Sequence, residues 1–122
     1  MKHREPAAER IRDLAVDALR DVKAVDLVVF DVRGRSTITD FMVIASGTSD
    51  RHVRSLAGNL QRKARTAGVR CLGIEGEQVG EWILVDLRDV IVHVMLPRAR
   101  AFYQLEKLWN ADAPRAALAR GA

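Results

Sequence analysis

Residues 75–109, EGEQVGEWILVDLRDVIVHVMLPRARAFYQLEKLW, constrain this chain more than any other stretch. Two β-branched runs, 82–87 and 89–96, stand almost back to back, so they read as adjacent strands of one hairpin. Pro97 then opens a final helix, since proline suits a first turn. If Leu87 and Arg88 make a two-residue loop, Asp86 faces Asp89, Leu84 faces Ile91 and Trp82 faces His93. Alternation along each strand then sorts the side chains. Ile83, Val85, Val90, Val92 and Val94 are all aliphatic and belong beneath helices. Trp82, Leu84, Asp86, Asp89, Ile91, His93 and Met95 mix an indole, an imidazole and two acids, which suits a face not wholly inside a core. Carboxylates directly opposite each other repel, so in this register a cationic partner would relieve Asp86 and Asp89. A plain solvated turn is the other explanation of the same two acids.

The remaining elements follow from periodicity. Ile11, Leu14, Ala15, Ala18, Leu19 and Val22 share one helical face over residues 6–22. Residues 26–32 and 40–46 read as strands, the second apolar throughout and therefore buried on both faces. Thr48 or Ser49 can cap a second helix, with Asp50 in its first turn and Val53, Leu56, Ala57, Leu60 and Ala64 as its buried stripe. Gly68 is placed to end that helix. A weaker strand covers 69–74, and 75–81 is a glycine-containing loop. Five strands and three helices in this order predict an α/β (α+β) domain, a mixed five-stranded sheet flanked by helices. The expected domain spans residues 1–110, and 111–122 read as a flexible tail with few large apolar side chains. On the last helix Phe102, Leu105, Leu108 and Trp109 form the apolar side, while Tyr103, Glu106 and Lys107 lie largely off it.

Composition narrows the function classes. No stretch is long and apolar enough to span a bilayer, and no membrane partner is expected. The first residues lack a secretory core, and Glu5, Glu9 and Asp13 argue against a transit peptide. Cys71 is the sole cysteine, so no internal disulfide can form; a small buried apolar role is expected, and a reducing cytoplasm fits. The net charge of +4 comes with sixteen arginines against four lysines. They are scattered among acids, so charge alone does not define a nucleic-acid binder.

Three motifs stand out, STITDFMVIASGTSDRHVRSLA at 36–57, IEGEQVGEWILVDLRDVIVHVM at 74–95 and FYQLEKLW at 102–109. Together they resemble the ribosomal silencing factor (Iojap-like) family. The resemblance implies a nucleotidyltransferase-like fold without the catalytic residues, and a homodimer in the free state. It also implies docking on protein fourteen of the large ribosomal subunit, which would block joining of the small subunit and repress translation under nutrient limitation. Carried over residue by residue, the family's partner-binding surface falls on Trp82, Asp86, Asp89, His93, Tyr103 and Glu106. Arg88 stands where the family commonly has glycine, and Gln104 where it often has an acid.

Three other readings compete. A nucleotidyltransferase needs a carboxylate pair soon after a Gly-Ser turn; here Gly47-Thr48-Ser49 is followed by none near Gly58, Asn59 and Leu60. A metal at His93 with Asp86 or Asp89 lacks an evident third ligand, so neither cofactor nor metal is expected. An RNA-binding module acting in ribosome assembly would use Arg51, His52, Arg54, Arg62, Lys63 and Arg65, and some contact with ribosomal RNA fits either reading.

Overall fold

The computed structural model describes residues 7–103, with side chains as far as Arg100. In chain order the elements are α1 (Ala8–Asp21), β1 (Val25–Asp31), β2 (Phe41–Ser46), α2 (Asp50–Thr66), β3 (Gly73–Glu75), β4 (Trp82–Asp86), β5 (Val90–Met95) and α3 (Pro97–Tyr103). The strands form one sheet in the order β1-β2-β5-β4-β3. β2 and β5 run parallel, while every other neighbouring pair is antiparallel. The expected mixed five-stranded sheet with flanking helices is therefore the fold. The expected tail at 111–122 lies outside the described residues.

The two central strands show why their sequences are apolar without alternation: every residue of β2 and β5 is buried. One sheet face packs against α1 and α2. There Phe41, Val43 and Ala45 of β2, Ile83 and Val85 of β4, and Val90, Val92 and Val94 of β5 meet Ile11, Leu19, Leu56 and Leu60. The predicted stripe of α2 is buried as read, and Leu14 of α1 and Val22, which caps its end, pack partly against the same core. Ser49 caps α2 by accepting the His52 N–H at 3.0 Å. Beyond the helix, Gly68 sits at φ +77°, the left-handed conformation that glycine takes at no cost in side-chain contact.

Polar side chains fasten the two helices to each other. The Asn59 amide donates to the Ala18 carbonyl at 2.8 Å. His52 spans a wider gap: its Nδ1 accepts the Thr48 N–H at 2.8 Å, which leaves Nε2 to donate to the Val22 carbonyl at 2.6 Å. Both satisfy carbonyls near the end of α1 that have no partner inside the helix.

Three expectations are corrected. The third strand is only Gly73–Glu75, not 69–74. Val69 instead packs into the helix-side core with its N–H on the Ala64 carbonyl at 2.8 Å, and Cys71 is exposed rather than buried. The hairpin register also differs. Asp86 pairs with Ile91, Leu84 with His93 and Trp82 with Met95, two residues away from the predicted partners. The turn is closed by the Leu87 N–H on the Val90 carbonyl at 2.9 Å, with Arg88 and Asp89 at its tip. A slip of two residues leaves the faces unchanged, because the side-chain period of a strand is two. It does remove the opposition of Asp86 and Asp89, and with it the electrostatic reason for a cation at that point.

Arg88 explains the turn. It stands at φ +71°, where a side chain costs roughly 1–2 kcal/mol and glycine costs nothing. The Asp86 carboxylate accepts the Arg88 N–H at 2.8 Å and so supports that conformation.

Candidate functional site

The sheet face turned away from α1 and α2 carries the predicted site. Trp82, Leu84 and Asp86 of β4 lie beside Ile91, His93 and Met95 of β5, with Met42 and Ile44 of β2 next across the sheet. Burial on this face is graded. Ile91, His93 and Met95 are buried, whereas Trp82, Leu84, Asp86 and the nearby Asp89 are half-buried. Val32, Met42, Ile44, Met95 and Ala99 of α3 form a second, smaller apolar cluster, with Phe30 and Trp82 packed at its margin.

His93 departs from the expected surface position, being 0% exposed. What it does instead is hold Trp82. The indole N–H donates to His93 Nδ1 at 2.8 Å, and the rings lie 5.7 Å apart at 43°. That bond assigns the imidazole proton to Nε2, which is buried and has no hydrogen-bond partner among the described residues. Burial pushes the His93 pKa down to about 4, so the ring stays neutral and keeps its acceptor for the indole at neutral pH. The indole is thereby fixed in orientation, with its body at the half-buried margin of the sheet.

The approach to Trp82 is equally constrained. Gly76, at φ +91°, passes so close that an added Cβ would fall 2.0 Å from the Trp82 carbonyl oxygen. Only glycine lets the 76–81 loop cross there. Arg54 holds the same loop from α2, donating to the carbonyls of Glu77 at 2.9 Å and Gln78 at 2.7 Å. Glu81 is fixed from the other end by an ion pair with Arg98 at 2.7 Å, while its carbonyl accepts the Leu96 N–H. A shallow cleft of about 280 Å³ next to the indole is lined by Glu75, Gly76, Trp82 and Leu84.

The predicted residues are thus only partly assembled. Trp82, Asp86 and His93 share one face of β4 and β5, and Asp89 sits at the turn that ends it. Tyr103 is the last described position of α3, but its side chain lies outside the described residues. Glu106 lies outside them altogether, as do Gln104, Leu105, Leu108 and Trp109. Sequence reasoning missed the Arg54 clamp and Arg100, whose side chain is buried with a guanidinium nitrogen 3.1 Å from Ser46 Oγ. The i, i+4 spacing of Asp50 and Arg54 was the available signal for the first, and it forms an ion pair at 2.7 Å. For Arg100, Ser46 and the Asp26 carbonyl lie 54 and 74 positions away, a pairing that local pattern does not contain.

A second, larger cleft of about 640 Å³ is lined by Thr48, Ser49, Asp50, Val79, Glu81, Leu96, Pro97 and Arg98. It includes the turn that a nucleotidyltransferase would use for phosphate. Here the turn is committed internally: the Thr48 N–H is held by His52, and Ser49 Oγ by the helix it caps. The two acids are likewise engaged, Asp50 by Arg54 and Glu81 by Arg98. The Arg54 hydrogen bond keeps the Asp50 carboxyl below the usual carboxylate range. Among the described residues no three His, Cys, Asp or Glu side chains come together to hold a metal.

Comparison with known proteins gives one consistent result. The family described as ribosomal silencing factor during starvation matches residues 5–121. A Haemophilus influenzae protein named ribosomal silencing factor RsfS is 47% identical over 97 residues, covering 80% of this chain and 95% of its own. Its counterpart of the same name from Chromobacterium violaceum is 42% identical over 106 residues, covering 87% of each chain. A crystal structure of a Chromobacterium violaceum protein superposes with a TM-score of 0.85 at 41% identity, over 89% of this chain and 91% of the other. These matches carry a regulatory description, not the name of a reaction. By these matches the chain belongs to the ribosomal silencing factor family, the Iojap-like group that its three motifs resemble.

Proposed function

We propose that this chain docks on the large ribosomal subunit at its protein fourteen and sterically blocks joining of the small subunit, repressing translation under nutrient limitation. In this reading it acts in the cytoplasm as a non-catalytic repressor without a cofactor, and it is a homodimer when free. The docking set is Trp82, Asp86, Asp89, Tyr103 and Glu106, with His93 as a positioning residue beneath Trp82. Contact with ribosomal RNA is peripheral to it.

The observation that carries the reading is the fixed indole. A tryptophan at a half-buried margin, held by a buried neutral histidine, is a preorganised aromatic anchor of the kind that dominates protein interfaces. Asp86 and Asp89 lie half-buried at the turn end of the same hairpin and put two carboxylates beside that anchor. No covalent chemistry is required, because occupying a surface on which another subunit must land is sufficient.

The test is a joining assay. Purified large and small subunits are mixed with and without the chain and separated on a sucrose gradient. Whole ribosomes are expected to disappear as the chain titrates the large subunits. Undiminished joining while the chain co-migrates with large subunits would overturn the blocking role.

A further inference from the structure

The outer face of α2 carries a different kind of surface from the Trp82 margin. Its segment Asp50–Thr66 holds five cations against one acid, a net +4 that equals the charge of the whole chain, while α1 beside it holds three cations against four acids. Not all five are available. Arg54 is spent on Asp50 and the 77–79 carbonyls, and Lys63 pairs with Asp21 of α1 at 3.0 Å. His52, which sequence alone grouped with them, is turned inward to the Val22 carbonyl. Arg51, Arg62 and Arg65 remain. All three are exposed; among the described residues Arg51 and Arg65 form no ion pair, and Arg62 bonds only the neutral Asn59 amide oxygen, at 2.9 Å.

Their spacing makes a line. At 100° per residue, positions 51, 55, 58, 62 and 65 fall within one narrow stripe, opposite the buried stripe of Val53, Leu56, Ala57, Leu60 and Ala64. The stripe is about 21 Å long at 1.5 Å rise per residue. Between its cationic ends lie only Ser55 and Gly58; a Cβ built at Gly58 would meet nothing nearer than the Arg62 guanidinium at 3.9 Å. A backbone can therefore approach the helix closely there, with the Ser55 hydroxyl as an added donor.

We propose that Arg51, Ser55, Arg62 and Arg65 form a binding stripe for the phosphate backbone of double-stranded ribosomal RNA. This deepens the docking function and rests on it: the protein-binding anchor would set position, and the stripe would supply sequence-independent affinity. Charge complementarity favours RNA, and the surroundings disfavour a lipid surface. A membrane-bound amphipathic helix inserts its apolar face, but the apolar face of α2 is inside the core. No exposed large hydrophobic residue of the described chain lies on α2.

The experiment measures binding of the full chain to purified large subunits and to a labelled RNA duplex of about sixteen base pairs. Salt is varied between about 50 and about 200 mM, where three phosphate contacts weaken binding about 40-fold. The triple variant Arg51→Ala, Arg62→Ala, Arg65→Ala, checked for folding by circular dichroism, is expected to lose about that much salt sensitivity on both probes. Trp82→Ala is expected to weaken subunit binding while leaving its salt slope and duplex binding intact. An unchanged slope in the triple variant would overturn the stripe, as would wild-type binding to anionic phosphatidylserine vesicles with none to the duplex. Duplex binding that depends on the three arginines, without wild-type binding to large subunits, would instead keep the stripe and sink the docking reading.

Discussion

The two faces of the β4–β5 hairpin are built from the same ten-odd residues and do opposite things. Toward α1 and α2, Ile83, Val85, Val90, Val92 and Val94 are fully buried and purely aliphatic. On the reverse, burial fades from 0% exposure at His93 to the half-buried Trp82 and Asp86, and polar atoms enter. The first face makes the fold stable; the second spends some of that stability on orienting one aromatic side chain. Among the described residues the buried Nε2 donor meets no partner, and a donor left so costs on the order of 1–3 kcal/mol. Such local departures from a well-satisfied interior are expected where a chain recognises something.

The sharpest way to separate the faces is a neighbouring pair of truncations. Ile83→Ala empties a closed core site and is expected to cost about 2–5 kcal/mol in urea denaturation. Leu84→Ala, on the half-buried side, is expected to cost less than half as much. Equal losses would mean that both faces are core.

Acidification probes the second face alone. The His93 pKa is depressed from 6.5 to about 4 in the fold, so the unfolded chain takes up its proton first as pH falls. The stability held by the neutral ring is complete above 6.5 and is lost on the way down to about 4, on the order of 3 kcal/mol in all. The difference in unfolding free energy between wild type and His93→Leu is expected to change across that window. A pH-independent difference would show that His93 is not held neutral by burial.

Trp82→Phe keeps most of the aromatic area but removes the N–H that His93 Nδ1 accepts. Roughly 1–2 kcal/mol of stability is expected to go, since a buried acceptor is left empty. No loss in thermal denaturation would argue that the indole hydrogen bond contributes nothing. The smallest effect has the opposite sign. Arg88→Gly relieves a left-handed arginine and is expected to stabilise by up to about 1 kcal/mol, offset in part by a freer unfolded chain. Destabilisation would mean that the Arg88 side chain makes a contact worth more than its backbone strain.

These contrasts also show what was legible beforehand. Alternation assigned every residue of β4 and β5 to the correct face, because a register error of two residues cannot move a side chain across the sheet. The register itself was hidden in the turn: a non-glycine residue at positive φ leaves no trace in composition. The short β3 was over-read because Val69 is apolar for a helix-side reason rather than a strand one. At the site, Trp82 and His93 were chosen together, but their roles were not. Whether a histidine faces solvent or anchors its neighbour depends on burial by distant elements, which local pattern does not contain. Family motifs supplied the functional direction that spacing could not.

The central claim, that the Trp82 margin is the docking surface, is tested most directly by co-sedimentation with purified large ribosomal subunits. Wild type and a folded Trp82→Ala variant are compared at equal salt. The wild type is expected to pellet with the subunits and the variant to bind about 30-fold more weakly or worse, the loss of an interface anchor worth at least about 2 kcal/mol. A correctly folded Trp82→Ala that binds as tightly as the wild type would contradict the claim and move the docking surface elsewhere on the chain.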